Sequence, residues 1–262
     1  MTEARVNVKF EERPGIGRVA VVTVDNRTKL NCLDTTQVVA LRGAFDLLAN
    51  DANVRAAILT GAGDRAFIGG ADLSELGGLC ADSARLYITR LHKACKAIRD
   101  CPVPVIGRIN GFCLGAGLEV AASCDMRVAA DSAVFGMPEV HMGLPSVIEA
   151  ALLPGLIGWG RTREILLTGE TFGAAEAHAM RFVEKVMPAA QIDDHVTHWL
   201  TLIGRATPAA VRSQKALMNR WERVSVEEGI YAGIDAISDA YRTGEPQAAI
   251  KAFFDGKAKR KP

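Results

Sequence analysis

The residues best suited to chemistry by type and spacing are two glutamates and two glycine-rich junctions. "RAFIGGADLSE" (65–75) follows the apolar, β-prone run "RAAILTG" (55–61), turns through Gly69-Gly70 and starts a helix near Asp72, with Glu75 in its first turn. "VPVIGRIN" likewise runs into "GFCLGAGLEVAASCD" (111–125), where a helix begins near Gly115–Gly117. Ala71 and Ala116, both small, sit at these junctions. The first N–H groups of a helix lack intrahelical partners and stand at the positive end of its dipole. Two of them converging on one point stabilise an oxyanion as charge develops on a carbonyl oxygen. Glu119 lies three residues beyond Ala116, on the same helical face. Its neighbours Leu118, Val120, Ala121 and Ala122 carry no charge, which argues against a solvent-facing position. A second acid, Glu139, follows in the Pro-containing loop "FGMPEVHMG".

A glycine-rich strand-to-helix turn is also the signature of dinucleotide binding, but the spacing here argues against it. Gly115 and Gly117 are followed by Val120, not by a third glycine or alanine, and no acidic residue ends a second strand at the required distance. Tight helix–strand packing is the plain structural alternative for either turn alone; two such turns favour the oxyanion reading. A zinc site has no support, because His195 and His198 sit in the amphipathic segment "DDHVTHW" and no H-E-x-x-H occurs.

The elements that must position these residues alternate along the first part of the chain. Strands are predicted at 18–24, 56–61, 103–109, 126–130 and 183–187. A helix over 34–51 has Asp34 as N-cap and apolar residues at Val38, Leu41, Phe45 and Leu48. A second helical run, 83–101, stops before Pro102. Beyond residue 190 there are four successive helical segments and no strand signal. This divides the chain into an α/β core at 1–190 and a helical region at 191–262.

Bulk composition is that of an ordinary soluble globular protein, with 262 residues, 49% hydrophobic and 23% charged. A formal net charge of +1 provides no field to recruit nucleic acid or an anionic membrane. The N-terminal "MTEARVNVKFEERPG" is charged and lacks the apolar core of a signal peptide, and no apolar run has the length of a membrane span. A cytoplasmic location is therefore expected. The six cysteines, without a C-x-x-C pair, are then expected to be reduced core residues.

At its candidate site residues the sequence resembles the enoyl-CoA hydratase/isomerase (crotonase) superfamily over nearly its whole length. "NRTKLNCLD" (26–34) is similar to the N-R-P-x-x-x-N-A-L segment of that family, and "AFIGGADLSE" (66–75) to its A-F-x-x-G-A-D-[LI]-x-E. "INGFCLGAGLEVAASCDMRVA" (109–129) matches its second signature and "FGMPEVHMGLP" (135–145) its F-x-x-P-E-x-x-x-G-x-x-P. The ending "AAIKAFFDGKAKRKP" resembles E-G-x-x-A-F-x-E-K-R-x-P, with Ala248-Ala249 and Gly256 as departures.

The resemblance implies an α/β crotonase (ClpP-like) spiral of ββα units, with the helical region serving trimerisation and often a dimer of trimers. It implies an acyl-CoA thioester as substrate, its carbonyl oxygen held by the Ala71 and Ala116 amides, and no cofactor besides the coenzyme A of the substrate. Lys29, Cys32, Asp72 and Leu73, with Phe253 and Lys257 from across a subunit boundary, are carried over as substrate- or CoA-binding positions; Lys259 rivals Lys257. Glutamates at both 119 and 139 resemble the hydratases, in which the first activates water for attack on C3 and the second protonates C2. A Δ3-Δ2 enoyl isomerase, a thioester hydrolase and a non-catalytic CoA- or RNA-binding member are the other readings, and the near-neutral charge speaks against RNA. One departure stands out. The glycine-rich I-P-G-x-G-G-T-Q-R of typical hydratases is replaced by "LPSVIEAALLPGLIG" (144–158), which adds an acid, Glu149, and is expected to lie beside Glu139 and reshape the acyl pocket.

Overall fold

Asp34 opens the first helix by a capping box: its side chain accepts from the Gln37 N–H at 2.9 Å, and the Gln37 side chain accepts from the Asp34 N–H at 3.3 Å. In this computed structural model, which describes residues 5–258, the chain begins as an antiparallel hairpin of β1 (Arg5–Arg13) and β2 (Gly17–Asp25) and continues into α1 (Thr35–Ala49). A first turn of a spiral follows, with β3 (Val54–Gly61), β4 (Ala66–Ile68), α2 (Leu73–Leu76) and α3 (Ala81–Asp100). The second turn is β5 (Val105–Ile109), β6 (Phe112–Leu114) and α4 (Ala116–Ala122). The third is β7 (Met126–Ala130), β8 (Val134–Gly136), two 3-10 turns at Pro138–Met142 and Ile148–Leu152, and α5 (Leu153–Thr168). After β9 (Thr171–Gly173), α6 (Ala174–Ala179) and β10 (Lys185–Met187), the chain ends in α7 (Ile192–Arg205), α8 (Pro208–Trp221), α9 (Val226–Arg242) and α10 (Glu245–Ala258).

Each turn places one strand in a six-stranded sheet of order β1-β2-β3-β5-β7-β10 and one short strand in a second sheet of order β4-β6-β8-β9. The inner strands β3, β5 and β7 pair in parallel. They are nearly continuous buried apolar runs, because both faces of the larger sheet are covered. One face packs against α1 and α3; Val38, Leu41, Phe45 and Leu48 of α1 are fully buried, each contributing roughly 1.5–3 kcal/mol by removal from water. The other face is covered by α7, whose Ile192, Val196 and Leu200 meet Val19, Ile58, Ile106 and Val128.

The expected long elements are present, and the differences have physical reasons. The strand at 183–187 is shorter than predicted, because Phe182 and Val183 turn into the core before β10 begins at Lys185. β1 was not among the predicted strands. Its Val6, Val8 and Phe10 alternate with polar residues and pack against the core, so its charges belong to one solvated face. The three-residue strands of the second sheet are too short to carry a period, and α5 begins within the 144–158 stretch read only as a departure from the family pattern and runs on past it. Of the cysteines, four are buried as expected, but Cys32 is half-buried and Cys80 is exposed. Hydrogen bonds from Ser83 lower the Cys80 thiol to about 7.

The helical region is not uniform. α7 belongs to the body of the molecule, and α8 is docked through Lys215, whose buried ammonium donates to Val103 O at 3.0 Å and Asp125 Oδ2 at 2.7 Å. On α9, Val226, Ile230, Ile234, Ile237 and Tyr241 form an exposed apolar stripe at helical spacing. Among the described residues no helix is long and apolar enough to cross a membrane.

Candidate active site

The two glycine junctions lie side by side, because β4 and β6 are neighbours in the smaller sheet and each ends where its turn of the spiral enters a helix. Gly70 has φ +125° and Gly115 φ +52°, both in the region that excludes ordinary side chains. A Cβ at Gly115 would also stand 2.6 Å from Glu139 Oε1 and would displace that carboxyl from its place.

The backbone around Ala71 is held from one side. Leu33 N–H donates to Gly70 O at 2.8 Å, and Leu33 O accepts from Asp72 N–H at 2.9 Å. This parallel bridge uses the groups flanking Ala71, so Ala71's own N–H points to the opposite side. Tyr87 Oη fixes the same Leu33 carbonyl with a bond of 2.7 Å. Ala116 is the first residue of α4, and its N–H belongs to the unpaired first turn, while Gly115 O accepts from Leu118 and Glu119 at 2.8 and 3.1 Å. Among the described residues no backbone carbonyl accepts from either alanine N–H. Both alanines line one cavity of about 950 Å³.

Glu119 and Glu139 line that same cavity. Glu119, on α4, is 4% exposed, and its Oε1 accepts from the Ala150 N–H at 3.3 Å. Burial pushes its carboxyl up to about 9, with the neighbouring Glu139 and then Glu149 adding to the effect. Glu139, at the start of the 3-10 turn after β8, is half-buried, and burial raises it too, against a hydrogen bond of 3.0 Å donated by Ser146 Oγ to its Oε2. At neutral pH this pair therefore holds a proton, seated by burial on Glu119, and offers one acid and one base to a single space.

The other predicted positions divide. Lys29, Cys32, Asp72 and Leu73 all line the cavity. Asp72, however, is buried and engaged: it caps α2 through Ser74 N–H at 2.8 Å and meets Lys29 Nζ at 2.5 Å. The ammonium of Lys29 holds this carboxyl below the ordinary aspartate value. Burial raises the Cys32 thiol. Phe253 lies on α10, 58% exposed and outside the cavity of its own chain. The side chain of Lys257, and Lys259, lie outside the described residues. The segment departing from the family pattern does reach Glu139, through Ser146, and Leu144 and Val147 join the wall, but Glu149 turns away to α3.

Sequence reasoning did not single out Tyr87 and Leu91, which form part of the wall, or the contact of Ser146. The apolar stripe of α3 was a signal for the first two. Ser146 comes seven residues after Glu139 in an irregular loop and has no periodic signal.

Comparison with known proteins agrees with this geometry. Residues 16–262 match the enoyl-CoA hydratase/isomerase family. The chain is 31% identical over 240 residues to the short-chain-enoyl-CoA hydratase of Clostridium acetobutylicum, covering 91% of this chain and 92% of that protein. It is 31% identical over 239 residues to the crotonyl-CoA hydratase of Syntrophomonas wolfei, with coverage of 91% and 92%. The crystal structure of an enoyl-CoA hydratase from Bacillus anthracis superposes with a TM-score of 0.90 at 30% identity, over 98% of each chain.

The proton on Glu119 has a consequence for stability. Folded, this carboxyl keeps its proton to about pH 9; unfolded, it releases it near the ordinary value of 4.5. Between those values the native state binds the extra proton, so the contribution of Glu119 is fully present below the lower value and is lost as pH rises toward the upper one. Glu119→Gln removes this dependence. Urea denaturation at pH 5 and pH 8 is expected to show the variant gaining on the wild type as pH rises, by on the order of a few kcal/mol at most. A difference independent of pH would contradict the buried, protonated carboxyl.

Proposed function

The chain belongs to the enoyl-CoA hydratase/isomerase family, and from that premise we propose that it is an enoyl-CoA hydratase acting through the cavity between α3, α4 and the 138–152 segment. The observation that carries this reading is the convergence on one cavity of two carboxyls and two backbone N–H groups that no described backbone carbonyl accepts from. In the proposed reaction the thioester carbonyl oxygen of a 2-enoyl-CoA accepts from the Ala71 and Ala116 N–H groups, which polarise the conjugated double bond. Ionised Glu119 takes a proton from water as the water oxygen bonds to C3. Electron density moves to the thioester oxygen as an enolate, which the two amides stabilise, and C2 then takes a proton from Glu139. Turnover leaves Glu119 protonated and Glu139 ionised, the distribution that burial favours, and a proton passing back across the cavity restores the reactive form. No cofactor beyond the coenzyme A of the substrate enters these steps.

Lys29, Cys32, Asp72 and Leu73 are proposed to flank the bound thioester, with Asp72 acting through Lys29. The exposed stripe on α9, and Phe253 and Phe254 on α10, support a trimer, or a dimer of trimers, in which Phe253 and Lys257 approach the nucleotide of a neighbouring subunit's substrate. This reading expects a trimeric or hexameric mass by size-exclusion chromatography with light scattering; a monomer at micromolar concentration would contradict it.

The reaction is tested with a panel of enoyl-CoA esters of varied length and branching in water enriched in ¹⁸O. Label is expected at C3 of the product. Glu119→Gln and Glu139→Gln should each lower kcat by roughly 10²–10⁴-fold while leaving CoA affinity within a few-fold. Loss of hydration with double-bond migration intact in Glu119→Gln would make the chain an isomerase. Full activity in both variants would overturn the site.

A further inference from the structure

A third buried acid, outside the steps above, stands behind Glu119. Glu149 is 3% exposed, and its Oε1 lies 2.9 Å from His92 Nδ1 on α3. Its Oε2 is buried with no N–H or O–H partner among the described residues and faces only the Cys95 thiol, a weak donor. An acid in this condition is costly to hold unless its position serves something. The next residue, Ala150, donates its N–H to Glu119 Oε1 at 3.3 Å. The contact between α3 and Glu149 is thus one peptide unit from the Ala150 N–H that bonds Glu119, and the Val147 backbone is a second donor facing that carboxyl.

We propose that the His92–Glu149 pair is a positioning element for Glu119. Resting on the hydratase reading above, it clamps the Ile148–Leu152 turn to α3, so that Ala150 N–H holds the Glu119 carboxyl, and it sets a second ionisable carboxyl behind the first. Glu149 touches no reacting atom and is not a catalytic residue. The charged and titratable groups facing it are His92, Cys95 and Arg99 along α3 and Glu119 on α4. Burial opposes the ionised form of Glu149, and His92, Arg99 and the Cys95 thiol favour it. An ionised Glu149 in turn disfavours ionisation of Glu119, so the pH at which Glu119 becomes a base depends on it.

The pair is separable from a merely structural contact by its effect on the pH profile. Glu149→Gln keeps the size of the side chain and a polar group opposite His92 but removes the charge. The alkaline limb of kcat/KM, where the pair loses its last proton, is expected to move to lower pH by about one unit, the scale of a single nearby charge, with KM within about twofold. His92→Ala removes the His92 hydrogen bond and leaves Glu149 with the Cys95 thiol alone; kcat should fall about tenfold with KM little changed, through displacement of the turn. Adding Glu149→Gln to His92→Ala should recover part of that loss, because no buried charge is then left unpaired. Circular dichroism establishes folding, and the single variants test the proposal independently of one another. An alkaline limb at its wild-type position in folded Glu149→Gln, or wild-type kcat in folded His92→Ala, overturns the proposal. Glu119→Gln, assayed alongside, separates the two levels: if it retains turnover, the hydratase site falls and the pair's role with it; if it loses turnover while Glu149→Gln is unchanged, only the pair's role falls.

Discussion

The structure depends on a constraint of the peptide backbone: where a strand gives way to a helix, N–H groups are left without partners. In most folds water or a capping side chain satisfies them. Here two turns of the spiral bring such junctions together, at Ala71 and Ala116, in the wall of one cavity. Positive φ at Gly70 and Gly115 sets the direction of the chain entering each junction. Around them the backbone is bonded firmly, through Leu33 to Gly70 and Asp72, and through Gly115 to Gly136 at 2.9 Å. Donors held in this way need no reorganisation when charge develops in front of them, which is why such sites lower barriers by more than the same groups in water.

The two acids follow from the same packing. α4 must be apolar to pass between the sheets and the Ile148–Leu152 turn, and a glutamate within it is desolvated by its own helix neighbours. Glu139 approaches from the next turn of the spiral, so close to Gly115 that a methyl group there would displace it. Burial and like charge together forbid both carboxyls from ionising at neutral pH. The proposed hydration uses that restriction, since the reaction needs one acid and one base facing a single double bond.

Much of this was legible in the sequence because it rests on local signals. The glycine junctions, the Asp34 cap and the apolar faces of α1 and α3 are short-range features, and the structure places them as expected. The uncharged neighbours of Glu119 correctly indicated a buried acid. What was not legible depends on tertiary context. The strands at 66–68, 112–114 and 134–136 exist only because successive turns stack. Cys80 lies among apolar residues in sequence but faces solvent at the end of α3. Glu149 was visible as an added acid, yet nothing in its neighbourhood indicated that it would turn from Glu139 to His92, 57 residues away. Phe253 shows the opposite case, a family position whose proposed role needs a second chain, so the single chain leaves it at the surface.

In the proposed reaction two main-chain N–H groups polarise a bound thioester carbonyl. Isotope-edited infrared difference spectroscopy of a saturated acyl-CoA labelled with ¹³C at that carbonyl reads this polarisation. On binding, the carbonyl stretch is expected to move to lower wavenumber, and Ala116→Pro, which removes one donor, should shift it back toward the free value while the protein remains folded. A carbonyl that absorbs at the same wavenumber bound and free, in a protein that demonstrably binds the ligand, would contradict the account.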